Sequence, residues 1–254
     1  MKSPYTTFIL IHMFLIISDT HFGTGPDENL RRKRFSDILR KKSSEVDKII
    51  LLGDIFDFWV EYHYLIRRDY FDILCLLCQV AREKELFFLS GNHDFFSLNI
   101  LKQQGIKVIK KNLEIEINGR KVLLSHGDTL YFTGKITRFL ISNELTQFLF
   151  RLVHPELGIF LAKSFSKLSR LRTGKMEPPD DIPRYITRQL KQYDMVITGH
   201  LHYPMIKLYQ NKIYANPGEW IADFTYLILD NDYIALYQYP DVLIKKVEYC
   251  KINP

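Results

Sequence analysis

Wholly apolar runs punctuate the chain at 14–17, 49–52, 87–89, 122–124 and 195–197. A strand wetted on one face alternates polar and apolar residues, so these unbroken runs predict strands covered on both faces. Between them, 28–42 and 64–84 repeat apolar residues at helical spacing. The Asn118-Gly119 turn joins 113–117 to 121–124 as a hairpin. Beyond His202, 205–209, 212–214, 224–229 and 233–237 predict further antiparallel strands. The pattern is that of a mixed α/β chain with a strand-rich C-terminal part and no internal repeat.

Length and composition add few constraints. The chain has 254 residues, 46% hydrophobic and 25% charged, which suits one large globular domain or one domain carrying an insertion. No segment reaches the roughly 18 consecutive apolar residues of a membrane span. The apolar stretch 8–17 follows Lys2 but has no small-residue cleavage site and runs into Ser18-Asp19-Thr20-His21, so its second half is expected to be the first core strand. Met13 opens a complete strand and turn, so translation from Met13 is expected, with 1–12 as an N-terminal extension and 13–254 as the domain. Cys75, Cys78 and Cys250 do not make a disulfide framework; they are expected to be free thiols of a reducing compartment, with Cys75 and Cys78 packed inside a helix.

Charge is distributed unevenly. The stretch 135–175 holds eight Lys or Arg against Glu144 and Glu156, a net of +6, which is also the net charge of the whole chain. The remainder is neutral. From Pro155 onward a helix is expected, with Leu157, Leu161, Phe165 and Leu168 on one face and Lys163, Lys167 and Arg170 on another.

The chemistry gathers at the ends of the predicted strands: Asp19-x-His21, Gly53-Asp54, Gly91-Asn92-His93-Asp94, His126-Gly127-Asp128 and Gly199-His200-x-His202. Each alone reads as a turn, a helix cap or a buried histidine. Together they bring five of the eight histidines to strand ends, where ligands converge in open α/β sheets; His12, His63 and His154 stand apart. Carboxylates, imidazoles and an Asn carbonyl, without a thiolate, suit two divalent ions. A water bridging two such ions loses a proton readily and can attack phosphorus.

In this order the motifs D-x-H, GD, GNHD, H and G-H-x-H resemble those of the calcineurin-like metallophosphoesterases, from Asp19 to His202. The resemblance implies a four-layer α/β/β/α sandwich of two mixed sheets. It implies that Asp19, His21, Asp54 and His202 hold one metal, and that Asp54, Asn92, His126 and His200 hold the other, with Asp54 as the bridge.

"GDIFDFWVEY", "HGDTL" and "FRLVHPELGIFLAKSFSKLSR" are similar to the branch containing UDP-2,3-diacylglucosamine diphosphatase. That resemblance implies an enzyme using two divalent ions, Mn2+ above all. It would cleave the pyrophosphate of a UDP-linked diacyl sugar to UMP and a lipid sugar phosphate for lipid A. A helical lid insertion is expected at about 135–179, with Lys163, Lys167 and Arg170 contacting substrate, and a peripheral position on an anionic, cytoplasmic inner-membrane face. No nucleic acid and no obligate protein partner are expected.

Two departures stand out. GNRD in that branch is GNHD here, so His93 would steady phosphate or protonate the leaving oxygen, oriented by Asp94. Tyr131-Phe132-Thr133-Gly134 replaces polar residues after HGDTL. Two alternatives remain: a metallophosphodiesterase acting on nucleotides or nucleic acid, and a non-catalytic metal-binding scaffold, disfavoured because the ligand set is complete.

Overall fold

The computed structural model describes residues 7–8, 13–62, 64–94, 98–130, 143–161, 164 and 181–249. Seven strands form one sheet in the order β13 (Val242–Glu248), β12 (Tyr233–Gln238), β11 (Thr225–Leu229), β2 (Phe14–Ile17), β3 (Lys48–Leu51), β4 (Glu85–Leu89) and β5 (Lys107–Ile109). β2 to β5 run parallel, and β11 to β13 continue the sheet antiparallel. Six strands form the other sheet: β1 (Thr7–Phe8), β6 (Leu113–Ile117), β7 (Arg120–Ser125), β8 (Met195–Thr198), β10 (Lys212–Asn216) and β9 (Met205–Tyr209). Both sheets are mixed.

The unbroken apolar runs follow from this stacking. Phe14, Ile16, Ile50, Leu52, Phe87 and Leu89 point from the larger sheet toward Leu113, Ile115, Val122, Leu124, Met195 and Ile197 of the smaller one, forming the central core. Their neighbours Leu15, Ile17, Ile49 and Leu51 face the opposite way. There they meet helices α1 (Glu28–Ser43) and α2 (Phe71–Glu83) through Phe35, Ile38, Leu39, Ile73 and Leu77. On the outer face of the smaller sheet, Leu123 and Val196 pack on Ile186 and Leu190, at and just after the short helix Arg184–Gln189. Helices therefore cover both sheets, in four layers.

Two expectations are corrected here, and one strand goes beyond them. Helix was expected over 64–84, but α2 begins at Phe71 after a single 3-10 turn, Arg68–Tyr70. Arg67 is extended, with its guanidinium drawn to Phe58 O and Asp69. Cys75 is exposed and Cys78 half-buried, because the buried stripe of α2 consists of Ile73, Leu74, Leu76, Leu77 and Val80. β13 was not anticipated; its Val242, Leu243 and Ile244 are exposed at the sheet edge, so no alternation marks the strand.

Within the basic stretch the structure describes 143–161 and Ser164. Short α3 (Asn99–Gln103) precedes it, followed by α4 (Glu144–Leu152), capped by Asn143 Oδ1 on Leu145 N at 2.8 Å, and then by a helix over 155–161, α5. Phe165, Lys163, Lys167, Leu168 and Arg170 lie outside the described residues.

Candidate metal centre

The carboxyl ends of β2, β3, β4, β7 and β8 point to one edge of the sandwich, and each is followed by a motif residue. Hydrogen bonds lace these loops together: Asp19 N donates to Gly53 O at 3.1 Å and His21 N to Asp54 O at 3.0 Å, and His200 N donates to the Asp19 carboxylate at Oδ2 at 3.0 Å. Asp19, His21, Asp54, His200 and His202 all have left-handed backbones, with φ between 44° and 66°. Few non-glycine residues adopt this conformation, and its concentration at one site marks strain held by the surrounding fold. Gly199 is obligatory for space, since a Cβ there would collide with Ser18 Oγ and lie 2.7 Å from Asp19 Oδ2.

Three clusters of potential ligand atoms result: Asp19 with His21 and His202, Asp54 with His126 and His200, and between them His21 with Asp54 and His93. Asp19 Oδ1 lies 3.2 Å from His202 Nε2, and His21 Nε2 is 3.3 Å from His202 Nε2. Asp54 Oδ2 lies 3.2 Å from His126 Nε2, which is also 3.2 Å from Asn92 Oδ1. With bonds of about 2.1 Å, the edge of a coordination polyhedron is about 3.0 Å when octahedral and about 3.4 Å when tetrahedral. The observed separations fit such edges. Apart from the close approach of His202 Nε2, buried Asp19 Oδ1 accepts no hydrogen bond among the described residues, which suits an atom able to ligate a cation. His126 Nδ1 faces Leu52 O at 3.0 Å; as a donor to that carbonyl it leaves the lone pair on Nε2, the atom turned to the site.

The electrostatics agree. Burial opposes charge on His21, yet the carboxylates of Asp19, Asp57 and Asp54 raise it to about 10. Burial likewise opposes charge on His126, and Asp54 raises it to about 10. Burial would raise Asp19 and Asp54, but the neighbouring histidines hold both well below the usual carboxylate range. His200 is pushed down to about 4 by burial and by the charge of His126. Negative charge is thus concentrated enough for imidazolium groups to take the place of cations.

His93 and Asp94 part company. His93 Nδ1 meets Asp57 O at 2.6 Å, which leaves Nε2 facing the site, 4.0 Å from Asp54 Oδ2. Burial lowers its pKa against the pull of Asp54. The expectation that Asp94 orients His93 is corrected: Asp94 Oδ1 accepts from Gly91 N at 2.5 Å and Oδ2 from Ile55 N at 2.8 Å, so it braces the loops beneath the site. Burial and the charge of Asp54 push this carboxyl up to about 7. The residue beside His93 is Asp57, buried, with Oδ1 3.8 Å from His93 Nδ1 and 3.7 Å from His21 Nδ1. Its sequence signal was available: a second carboxylate three residues after Asp54 in the otherwise apolar "IFDFWV".

The model for the calcineurin-like phosphoesterase family matches residues 12–204. A UDP-2,3-diacylglucosamine hydrolase from Porphyromonas gingivalis is 27% identical over 253 residues, covering 89% of this chain and 97% of that protein. A protein of the same name from Coxiella burnetii is 30% identical over 218 residues, covering 82% and 87%. Among solved structures, the E. coli phosphoesterase Yfce superposes with a TM-score of 0.50 at 14% identity, covering 95% of this chain and all of that one. Such a family implies divalent ions, which the clustered carboxylates and imidazoles are suited to hold. The agreement of matched length, layered sheets and converging strand ends identifies the chain as a hydrolase belonging to the calcineurin-like phosphoesterase family.

Proposed function

We propose that the chain cleaves the pyrophosphate of UDP-2,3-diacylglucosamine to UMP and 2,3-diacylglucosamine 1-phosphate, a step toward lipid A. The observation that carries this reading is an uncovered apolar surface on the helices next to the site. Leu145, Phe148, Leu149 and Leu152 of α4 and Leu157, Phe160 and Leu161 of α5 are all about half exposed or more. α4 is tied to the site-bearing loop: Arg151 Nε donates to Glu61 O at 3.1 Å, and Phe150 packs on Phe58 at 5.5 Å between ring centroids. Such a surface suits acyl chains, and the names of the relatives point to the same substrate.

Asp19, His21, Asp54 and His202 would hold one ion and Asp54, Asn92, His126 and His200 the other, with Mn2+ the proposed metal. When bound, the ions supply an activated water and neutralise phosphoryl charge. Once the incoming negative charge has raised its pKa, the protonated His93 Nε2 donates to a phosphoryl oxygen or passes its proton to the leaving oxygen. Lys163, Lys167 and Arg170 are proposed to take the remaining phosphate charge. The apolar and basic lid would rest on the anionic cytoplasmic face of the inner membrane. No described helix is long and apolar enough to cross a membrane.

Phosphorus NMR of the protein with Mn2+ and UDP-2,3-diacylglucosamine in 18O-water tests the reading. Label in UMP is the expected result; cleavage of a generic phosphodiester alone would retain the hydrolase and overturn the substrate.

A further inference from the structure

Behind His93 lies a pair of buried residues with no part in the cation clusters. Tyr70 is fully buried, packed on Phe56 at 4.7 Å and stacked on Trp59 at 6.1 Å between centroids. The Arg67 guanidinium lies over its ring at 4.0 Å and is held by Asp69 at 3.0 and 2.5 Å. A phenylalanine would fill that space as well. The hydroxyl instead, among the described residues, hydrogen-bonds to Phe58 alone, donating to its carbonyl at 3.1 Å and accepting from its N–H at 3.4 Å.

The two peptide planes flanking Phe58 carry this contact to His93. In the Asp57–Phe58 peptide the N–H faces Tyr70, and the carbonyl accepts His93 Nδ1–H at 2.6 Å. In the Phe58–Trp59 peptide the carbonyl accepts from Tyr70 and, at 2.5 Å, from Arg67, and the N–H donates to the His93 backbone carbonyl at 3.0 Å. His93 N–H also donates to Asp54 Oδ1 at 2.8 Å, but the contact on its ring and the one on its main-chain carbonyl are the far ends of amides gripped at their near ends. An amide that donates through N–H is also a stronger acceptor at its carbonyl.

We propose that Tyr70, with Arg67, is a positioning residue for His93, acting through the paired peptides around Phe58. The inference rests on the role given to His93 under the proposed function. Tyr70→Phe keeps the aromatic packing and removes the hydroxyl alone. With bis(p-nitrophenyl) phosphate and Mn2+, this variant lowers kcat about tenfold, the scale of one hydrogen bond, while KM stays within about twofold. In a His93→Ala background the same change has no further effect, because the group it positions is gone. Arg67→Met loses activity in the same way, and Arg67→Lys restores part of it.

A second readout does not depend on turnover. In the metal-free protein the His93 Nδ1 proton, assigned by its absence from His93→Ala, exchanges slowly with water, and Tyr70→Phe accelerates that exchange at least about tenfold. Unchanged kcat with unchanged exchange overturns the inference, as does a loss that multiplies with His93→Ala. If His93→Ala is itself fully active, the role of His93 falls, and the exchange rate alone decides whether the brace exists.

Discussion

Gly91 packs against Asp54 so closely that a Cβ at this position would overlap Asp54 Oδ1 and fall 2.5 Å from the Asp54 backbone nitrogen. The loop after β4 therefore supports the carboxylate shared by two of the ligand clusters. Gly91→Ala is expected to displace Asp54 and lower turnover at least about 100-fold, the usual effect of a shift near 1 Å in a reacting group. Metal content, measured after dialysis against Mn2+, is expected to fall with it. A variant retaining full metal and activity would show that the loop can yield.

Asp94 gives the opposite signature. Above the pKa of about 7 that burial and Asp54 give it, its carboxylate accepts from two buried N–H groups, and an amide at this position can accept through one oxygen only, turning an NH2 toward the other donor. Asp94→Asn is expected to cost about 1–3 kcal/mol in urea unfolding, with activity lost only in proportion to the unfolded fraction. A stable variant with collapsed kcat would return Asp94 to the chemistry.

Outside the ligand clusters, Asp241 ties the edge of the large sheet to α1. Lys42 Nζ lies 2.7 Å from its Oδ1, Tyr226 OH donates to it at 2.5 Å, and Lys41 pairs with Oδ2. Burial would raise this carboxyl, but Lys41, Lys42 and Tyr226 lower it to about 2. A carboxylate with a folded pKa below its unfolded value of about 3.9 adds stability that is fully present above pH 4 and fades as pH falls through 2. Screening by solvent leaves about 1 kcal/mol for so open a group. Asp241→Asn is expected to remove that amount at pH 7 and to flatten the stability curve between about pH 4 and 2. Parallel curves for the two proteins would count against the pairing.

The apolar side chains of α4 permit a selective test. Phe148→Ser combined with Leu152→Ser replaces two exposed side chains and leaves the site loops untouched. KM for the diacyl substrate is expected to rise about tenfold or more, as losing one or two buried side chains from a lipid contact predicts, with bis(p-nitrophenyl) phosphate hydrolysis unchanged. Equal effects on both substrates would mean that these residues act on the site and not on the lipid.

Elements covered on both faces were readable because their sequence has no polar residue to place. β2, residues 49–51 of β3 and residues 195–197 of β8 are of this kind, and the motifs at strand ends were readable because His and Asp there serve no core. What escaped detection depends on contacts between distant segments. β13 is an edge strand with its apolar residues exposed, so its pattern carries no burial signal. Arg67 leaves the expected helix because its guanidinium finds Phe58 O, a partner nine residues earlier that periodicity cannot reveal. Asp94 was paired with His93 by adjacency, whereas successive side chains at a tight turn diverge and its oxygens meet Gly91 and Ile55.

The left-handed backbone shared by Asp19, His21, Asp54, His200 and His202 bears on how such a protein can change over generations. Each residue held there costs about 1 kcal/mol or more, and five together approach the net stability of an ordinary domain. Glycine would relieve that cost at every one of these positions while removing a ligand. A duplicated copy selected only to stay folded would therefore drift downhill toward an inert sandwich, and only continued demand for hydrolysis keeps the five side chains in place.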